Sequence, residues 1–278
     1  MITYENGIFT LQGEGFTNLL RVNPWGLLEQ LYFGPTVAPS DWIAFQPDPG
    51  IGWGGSVLLE DGNTASCADA MPLAWSGSGR GDYRESPLDI GVSTDFRYES
   101  HRILDEAVDC GLPTASGKGE HLEITMVQDG LKLRLYFGIF GGVLTRRTVL
   151  CNTGKEAVTV RKCMSFLMDL SGELQMTTFD GGWIAEMRKH TVPVLENRVV
   201  NESTTGASSN RHNTGFLLSE PDATEDAGWV YGFNLIYSGN HYASAQRSLQ
   251  GFTRVMQGVS PDNFSWEIDS GQSFETPE

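Results

Sequence analysis

Leu122-Glu123-Ile124-Thr125-Met126-Val127-Gln128-Asp129-Gly130-Leu131-Lys132-Leu133-Arg134-Leu135-Tyr136-Phe137 reads as two half-buried strands and the turn between them. Leu122, Ile124 and Met126 share a face opposite Glu123 and Thr125, and Leu131, Leu133, Leu135 and Phe137 alternate around Lys132 and Arg134. Successive side chains on a strand point to opposite faces, so a period of two gathers the apolar residues on one side. Asp129-Gly130 is a tight-turn dipeptide, which makes the two runs a hairpin.

The same rhythm extends both ways from this hairpin. A strand at Val149-Leu150 is followed by an Asn152-Thr153-Gly154-Lys155 turn and then by alternating Val158, Val160, Met164 and Phe166. Further strands are predicted over residues 26–33, 90–98, 229–238, 242–248, 252–257 and 264–268, with a long polar loop over 201–213. Strand following strand without helical periods predicts an all-β chain of antiparallel sheets, two large ones packed face to face, with few or no helices. No repeat or low-complexity linker divides residues 1–278, so a single domain is expected.

Composition narrows the class of partner. The chain carries 19 Lys and Arg against 35 Asp and Glu, a net charge of −16, which repels phosphate backbones and anionic lipid headgroups. Neither nucleic acid nor a membrane is an expected partner. No run of about 18 apolar residues occurs, and residues 1–10 lack a cationic flank followed by an apolar core, so a cytoplasmic location is expected. Cys67, Cys110, Cys151 and Cys163 are spaced too widely for a zinc ribbon and too sparsely for a disulfide scaffold, and are read as reduced thiols.

Residues 35–87 break the strand rhythm. They hold Trp42, Trp53 and Trp75 among many Gly and Pro, and a long irregular segment rich in Trp is expected to be functional rather than disordered. No HExxH, CxxC pair, EF-hand loop, GxSxG elbow or Walker loop is present, and the five histidines show no i,i+4 pairing. No metal and no cofactor is therefore predicted. Gly77-Ser78-Gly79-Arg80-Gly81 lacks the following helix that a dinucleotide loop needs, and Arg80-Gly81-Asp82 is too short a match to an adhesion tripeptide to carry weight.

A sugar suits this segment better. Pyranose rings offer apolar faces to aromatic side chains and hydroxyls to carboxylates and guanidinium forks, and Asp69, Trp75, Arg80 and Asp82 supply those groups close together. The same residues equally suit a loop whose Trp side chains fill a core and whose Asp82 caps a glycine turn. Both readings stay open on the residues alone.

Several blocks, in order along the chain, resemble the N-terminal domain of α-galactosidases in family 36 of the glycoside hydrolases. They include Gly7-Ile8-Phe9-Thr10-Leu11, Ala70-Met71-Pro72 leading to Gly81-Asp82-Tyr83-Arg84, and Thr94-Asp95-Phe96-Arg97-Tyr98. Ser208-Ser209-Asn210-Arg211-His212-Asn213, Tyr231-Gly232-Phe233, Thr253-Arg254-Val255 and Phe274-Glu275-Thr276-Pro277-Glu278 continue the series. The resemblance implies a β-supersandwich that precedes a catalytic (β/α)8 barrel. That barrel performs retaining hydrolysis of terminal α-galactosides such as melibiose or raffinose with two carboxyl groups about 5 Å apart.

The family's Lys-Trp-Asp and Cys-Ser-Gly-Gly motifs are absent from these residues, so no catalytic residue is expected here and the chain alone is expected to be inactive. By the same resemblance, Asp69 and Arg80 bind terminal galactose in trans within a homo-oligomer, a tetramer in the full-length family, and Trp75 contributes a wall. Asp82 and Arg84 form a structural pair that holds the loop, and Arg211, His212 and Asn213 organise a loop or a barrel contact. The expected function is thus an accessory domain that supports a barrel, assembly and galactose binding. The alternatives are an autonomous carbohydrate-binding module and a purely structural domain.

Overall fold

The computed structural model describes residues 1–46 and 67–278. Among these residues the chain forms strands β1 (Ile2–Glu5), β2 (Ile8–Gln12), β3 (Phe16–Val22), β4 (Leu28–Pro35), β5 (Leu88–Asp89), β6 (Arg97–Leu104), β7 (Glu120–Gln128), β8 (Leu131–Phe140), β9 (Val143–Asn152) and β10 (Val158–Val160). They continue as β11 (Lys162–Ser171), β12 (Gln175–Asp180), β13 (Arg188–Pro193), β14 (Val199–Glu202), β15 (His212–Ser219), β16 (Val230–Phe233), β17 (His241–Arg247), β18 (Phe252–Val259), β19 (Trp266–Ile268) and β20 (Ser273–Glu275). The described helical turns are two short 3-10 segments, Pro39–Phe45 and Ala68–Ala70. No helix among the described residues is long and apolar enough to cross a membrane.

The deciding hairpin is β7–β8, in register from Glu120 opposite Ile139 to Gln128 opposite Leu131. Gly130 sits at φ +70°, the left-handed conformation that a Cβ disfavours. The strands are antiparallel, as the alternation predicts, and divide among the sheets β1-β2-β3-β4, β20-β9-β8-β7-β6, β14-β17-β18-β11-β5, β13-β12-β15-β16 and the pair β10-β19. The predicted strand over 90–98 forms only from Arg97 onward, and that over 229–238 only as β16.

Two sandwiches result. In the first, Phe9, Leu11 and Leu20 of β2 and β3 pack against Leu122, Ile124, Leu133 and Phe137 of β7 and β8. In the second, Phe166, Met168 and Val255 of β11 and β18 pack against Met176, Phe216 and Leu218 of β12 and β15. Phe33 and Leu144 touch both cores and join them.

One end of the second sandwich holds a titratable device. His241 opens β17 with 0 % of its surface exposed, and neither ring nitrogen has a partner among the described residues. Burial, reinforced by nearby His212 and opposed by Asp180, pushes its pKa down to about 4. Below pH about 6.5 the unfolded histidine takes up a proton that the folded one refuses until about pH 4. The His241 contribution to stability is therefore present above pH 6.5 and lost as pH falls to 4, amounting to about 3 kcal/mol. Urea unfolding of His241→Gln should show a correspondingly shallower acid decline than the parent chain. Parallel declines would show that His241 does not drive it.

Candidate functional site

The segment from Cys67 to Pro87 lies across the outer face of the β14-β17-β18-β11-β5 sheet. Met71 and Leu73 pack there on Met164, Leu167 and Met256. Leu73 is also bridged to Glu29 at the edge of β4. Apolar packing alone would let such a loop slide, and a buried set of four charges fixes its register.

Asp169 of β11 and Arg254 of β18 stand opposite each other and pair bidentately, Nε to Oδ1 at 2.8 Å and Nη2 to Oδ2 at 2.9 Å. From the loop, Arg84 donates through Nη1 to Asp169 Oδ2 at 2.8 Å and through Nε to Asp82 Oδ1 at 2.9 Å. Arg254 Nη1 closes the ring to Asp82 Oδ2 at 2.8 Å. The spare donors are used as well: Arg84 Nη2 donates to the carbonyls of Ala68 and Met71, and the Leu73 amide donates to Asp169.

These four side chains are all at most 4 % exposed. Burial alone would raise the Asp82 pKa, but the Arg254 and Arg84 guanidiniums outweigh it and hold Asp82 below the usual carboxylate range. Asp82 and Arg84 thus form the structural pair that the sequence suggests. Burial of Asp82 also removes any exposed Arg-Gly-Asp tripeptide.

Glu85, next to Arg84, pins the same end of the loop a second time. It accepts from Lys162 Nζ at 2.6 Å, Ser244 Oγ at 2.7 Å and Tyr242 Oη at 3.0 Å, and pairs with Arg198 at 2.9 Å. Burial would raise its pKa, but Lys162, the Ser244 hydroxyl and Arg198 lower it overall.

Ahead of these anchors the loop presents polar residues. Gly79 and Gly81 flank Arg80 at φ +72° and +83°, backbone settings that side chains resist, and they turn the intervening arginine outward. The Arg80 side chain is 56 % exposed and touches Asp95 only at 3.8 Å, while Arg97 holds Asp95 at 2.8 Å. Asp69 sits on the 3-10 turn Ala68–Ala70 and is 19 % exposed. Its Oδ1 accepts the Tyr83 amide at 3.2 Å, and no donor among the described residues is recorded at Oδ2.

Trp75 requires a correction. It is 1 % exposed inside the first core, so no ring face remains for a sugar, and it is removed as a wall. The large aromatic exposed on this loop is Tyr83, at 73 %, which the sequence reading passed over. Trp42 packs beside Ile8, Leu19 and Leu31, and Trp53 lies outside the described residues. The glycine-rich stretch leads to β5 rather than to a helix, as expected. No group of three His, Cys, Asp or Glu side chains is placed to hold a metal among the described residues. The four cysteines are free thiols. Of the later block, His212 meets Asp180 at 3.3 Å.

The model of the glycosyl hydrolase family 36 N-terminal domain matches residues 26–269. The chain belongs to this family. It is similar to the bifunctional α-galactosidase/sucrose kinase AgaSK of Mediterraneibacter gnavus, 29 % identical over 98 % of this chain and 30 % of that protein. The fold is similar to that of the α-galactosidase AgaB from Geobacillus stearothermophilus, with a TM-score of 0.91 and 25 % identity over 100 % of this chain and 40 % of AgaB. A variant of AgaA from the same organism, solved in complex with raffinose, gives a TM-score of 0.90 and 26 % identity over 97 % of this chain and 39 % of AgaA. This family 36 domain thus spans between 30 % and 40 % of the length of these relatives.

Proposed function

We propose that this chain is the accessory N-terminal domain of a retaining α-galactosidase acting on terminal α-galactosides such as raffinose or melibiose. It supports a catalytic barrel, and Asp69 and Arg80 bind galactose hydroxyls in the active site of a neighbouring subunit within a homo-oligomer. One observation carries the reading: a loop held by a buried charge ring that also grips the Ala68 and Met71 carbonyls and the Leu73 amide leaves Arg80 more than half exposed and Asp69 partly so. A rigid support with an exposed polar tip is what sugar recognition needs, because an ordered donor and acceptor lose little entropy on binding. Tyr83 beside them takes the stacking role first given to Trp75. Family membership, and the raffinose complex of the similar AgaA variant, support the galactoside assignment. Four free thiols suit a reducing compartment such as the cytoplasm.

The purified chain titrated with raffinose in a calorimeter should bind at millimolar strength or weaker, and it should not release the aryl group of an aryl α-galactoside. Tight binding by the chain alone would identify an autonomous carbohydrate-binding module instead. Sustained turnover would place the chemistry within these residues.

A further inference from the structure

The sheet β13-β12-β15-β16 carries opposite charge at its two ends. At one end Asp180 stands opposite Arg188 and His212, and the turn over residues 181–187 joins β12 to β13. At the other end Gln175 stands opposite Pro193 and Ser219, and the loop over 220–228 leaves β15 there.

The turn is built to hold apolar side chains in solvent. Trp183 and Ile184 are 87 % and 85 % exposed, and Met187 is exposed as well. Ile184 at φ +58° and Met187 at φ +54° occupy the left-handed region, which a β-branched residue adopts only where its surroundings impose it. Those surroundings are ordered: Gly182 and Ala185 bond each other amide to carbonyl in both directions, and the Ile184 amide donates to Glu186 Oε1 at 3.1 Å. A Cβ on Gly181 would collide with the Ala185 carbonyl, so the chain turns too tightly there for a side chain. At this end Arg188, Lys189 and Arg211 are exposed, and Arg188 and Lys189 meet no carboxylate among the described residues.

The far loop is the reverse. It carries Glu220, Asp222, Glu225 and Asp226 with no lysine or arginine, and the half-exposed Trp229 and Val230 follow it. An apolar cleft of about 770 Å³ reaches both ends, lined by Met187 from the turn, by Trp229 and Val230, and by Phe33, Leu144 and Phe233.

Exposed apolar surface of this kind marks contact with another protein, and the charges say which. We infer that this face pairs with the same face of a second copy of the chain about a two-fold axis. Trp183 and Ile184 of each copy sit in the cleft of the other, and Arg188 and Lys189 of each meet the acidic loop of the other. A two-fold axis between the ends exchanges them, so a basic end faces an acidic end twice over. Chains of net charge −16 otherwise repel one another, and the local cations are what lets two of them approach in one orientation. The contact runs through side chains, because Lys189 and Pro193 guard the open edge of β13 against an added strand. The inference rests on the homo-oligomer of the proposed function and names where its copies meet, using neither Asp69 nor Arg80.

Sedimentation velocity of the full chain over a concentration series tests it, in about 0.15 M salt, where long-range repulsion is screened and close charge contacts persist. The parent is expected to pass from one chain to two and no further. Trp183→Ser with Ile184→Ser should weaken pairing by at least about 30-fold, the loss expected when central apolar anchors are removed. Arg188→Glu with Lys189→Glu, and separately Asp222→Lys with Glu225→Lys and Asp226→Lys, should each stay single, since like charges then meet at both contacts. Mixing these two variants should restore pairing, because opposite charges again meet at both. All of these side chains are exposed, so each variant should melt with the parent. Asp69→Ala and Arg80→Ala should pair as the parent does, which keeps a failure of sugar binding distinct from a failure of pairing. A parent chain that stays single at every concentration would leave this face to the rest of a longer enzyme and overturn the inference. Assemblies beyond two chains, variants that pair like the parent, or a mixture that restores nothing would overturn it equally.

Discussion

Asp169→Ala is expected to lose about 3–5 kcal/mol of stability, the largest effect of any single substitution considered for this domain. The carboxylate is fully buried and accepts four hydrogen bonds, one from the Leu73 amide, one from Arg84 and two from Arg254. Alanine removes all of them at once. It leaves two guanidiniums sharing the single carboxylate of Asp82 in a space where water cannot replace what is lost. The intact ring need not be more stable than an apolar filling of the same shape, but breaking it strands a charge, and that asymmetry sets the size of the loss. Arg80→Ala is the control. Its side chain is more than half exposed and lies 3.8 Å from its nearest carboxylate, so its effect should stay within about 0.5 kcal/mol. Urea unfolding with a shared slope measures both, and equal, small losses would mean that the ring does not hold the loop.

What the sequence disclosed followed from how each strand is buried. β7 and β8 each show one face to the first core and the other to polar surroundings, so their alternation is readable. β3 is buried over Phe16–Leu20 because its sheet is covered on both sides, by the first core on one and by the Trp42 and Phe45 cluster on the other. A strand buried on both faces has no alternation to read. β13 fails for the opposite reason: all six of its residues are exposed at a sheet edge, where lysine, arginine and proline discourage further pairing rather than mark a core.

The site was legible to a similar degree. Asp82 and Arg84 are near neighbours in sequence, and their pairing could be read locally. Asp169 lies 85 residues from both Arg84 and Arg254, and its only sequence signal is a lone acid in the apolar run Met164–Leu170. Trp75 and an exposed Trp look alike in sequence, so a core side chain was read as a wall.

Substituting Asp69 or Arg80 in a complete α-galactosidase that carries this domain is expected to lower kcat/KM for raffinose by about 10- to 100-fold, through KM more than kcat. A charged group hydrogen-bonded to a sugar hydroxyl contributes about 1.5–3 kcal/mol. Neither residue is proposed to touch the bond being broken, so the loss should appear in binding the galactose, which is held much alike before and during reaction. Both positions tolerate truncation structurally. Among the described residues Arg80 has only a distant ion pair, and Asp69 stands outside the buried ring, accepting one bond from the Tyr83 amide at 3.2 Å and approaching Arg84 at 3.8 Å.

The most direct measurement replaces the corresponding part of AgaB with this chain and compares raffinose hydrolysis by the parent chimera, Asp69→Ala and Arg80→Ala at matched melting temperatures. The account predicts KM raised in each variant with kcat little changed. Unaltered KM in both variants would contradict it, and would leave the loop as a structural strap with no part in holding the sugar.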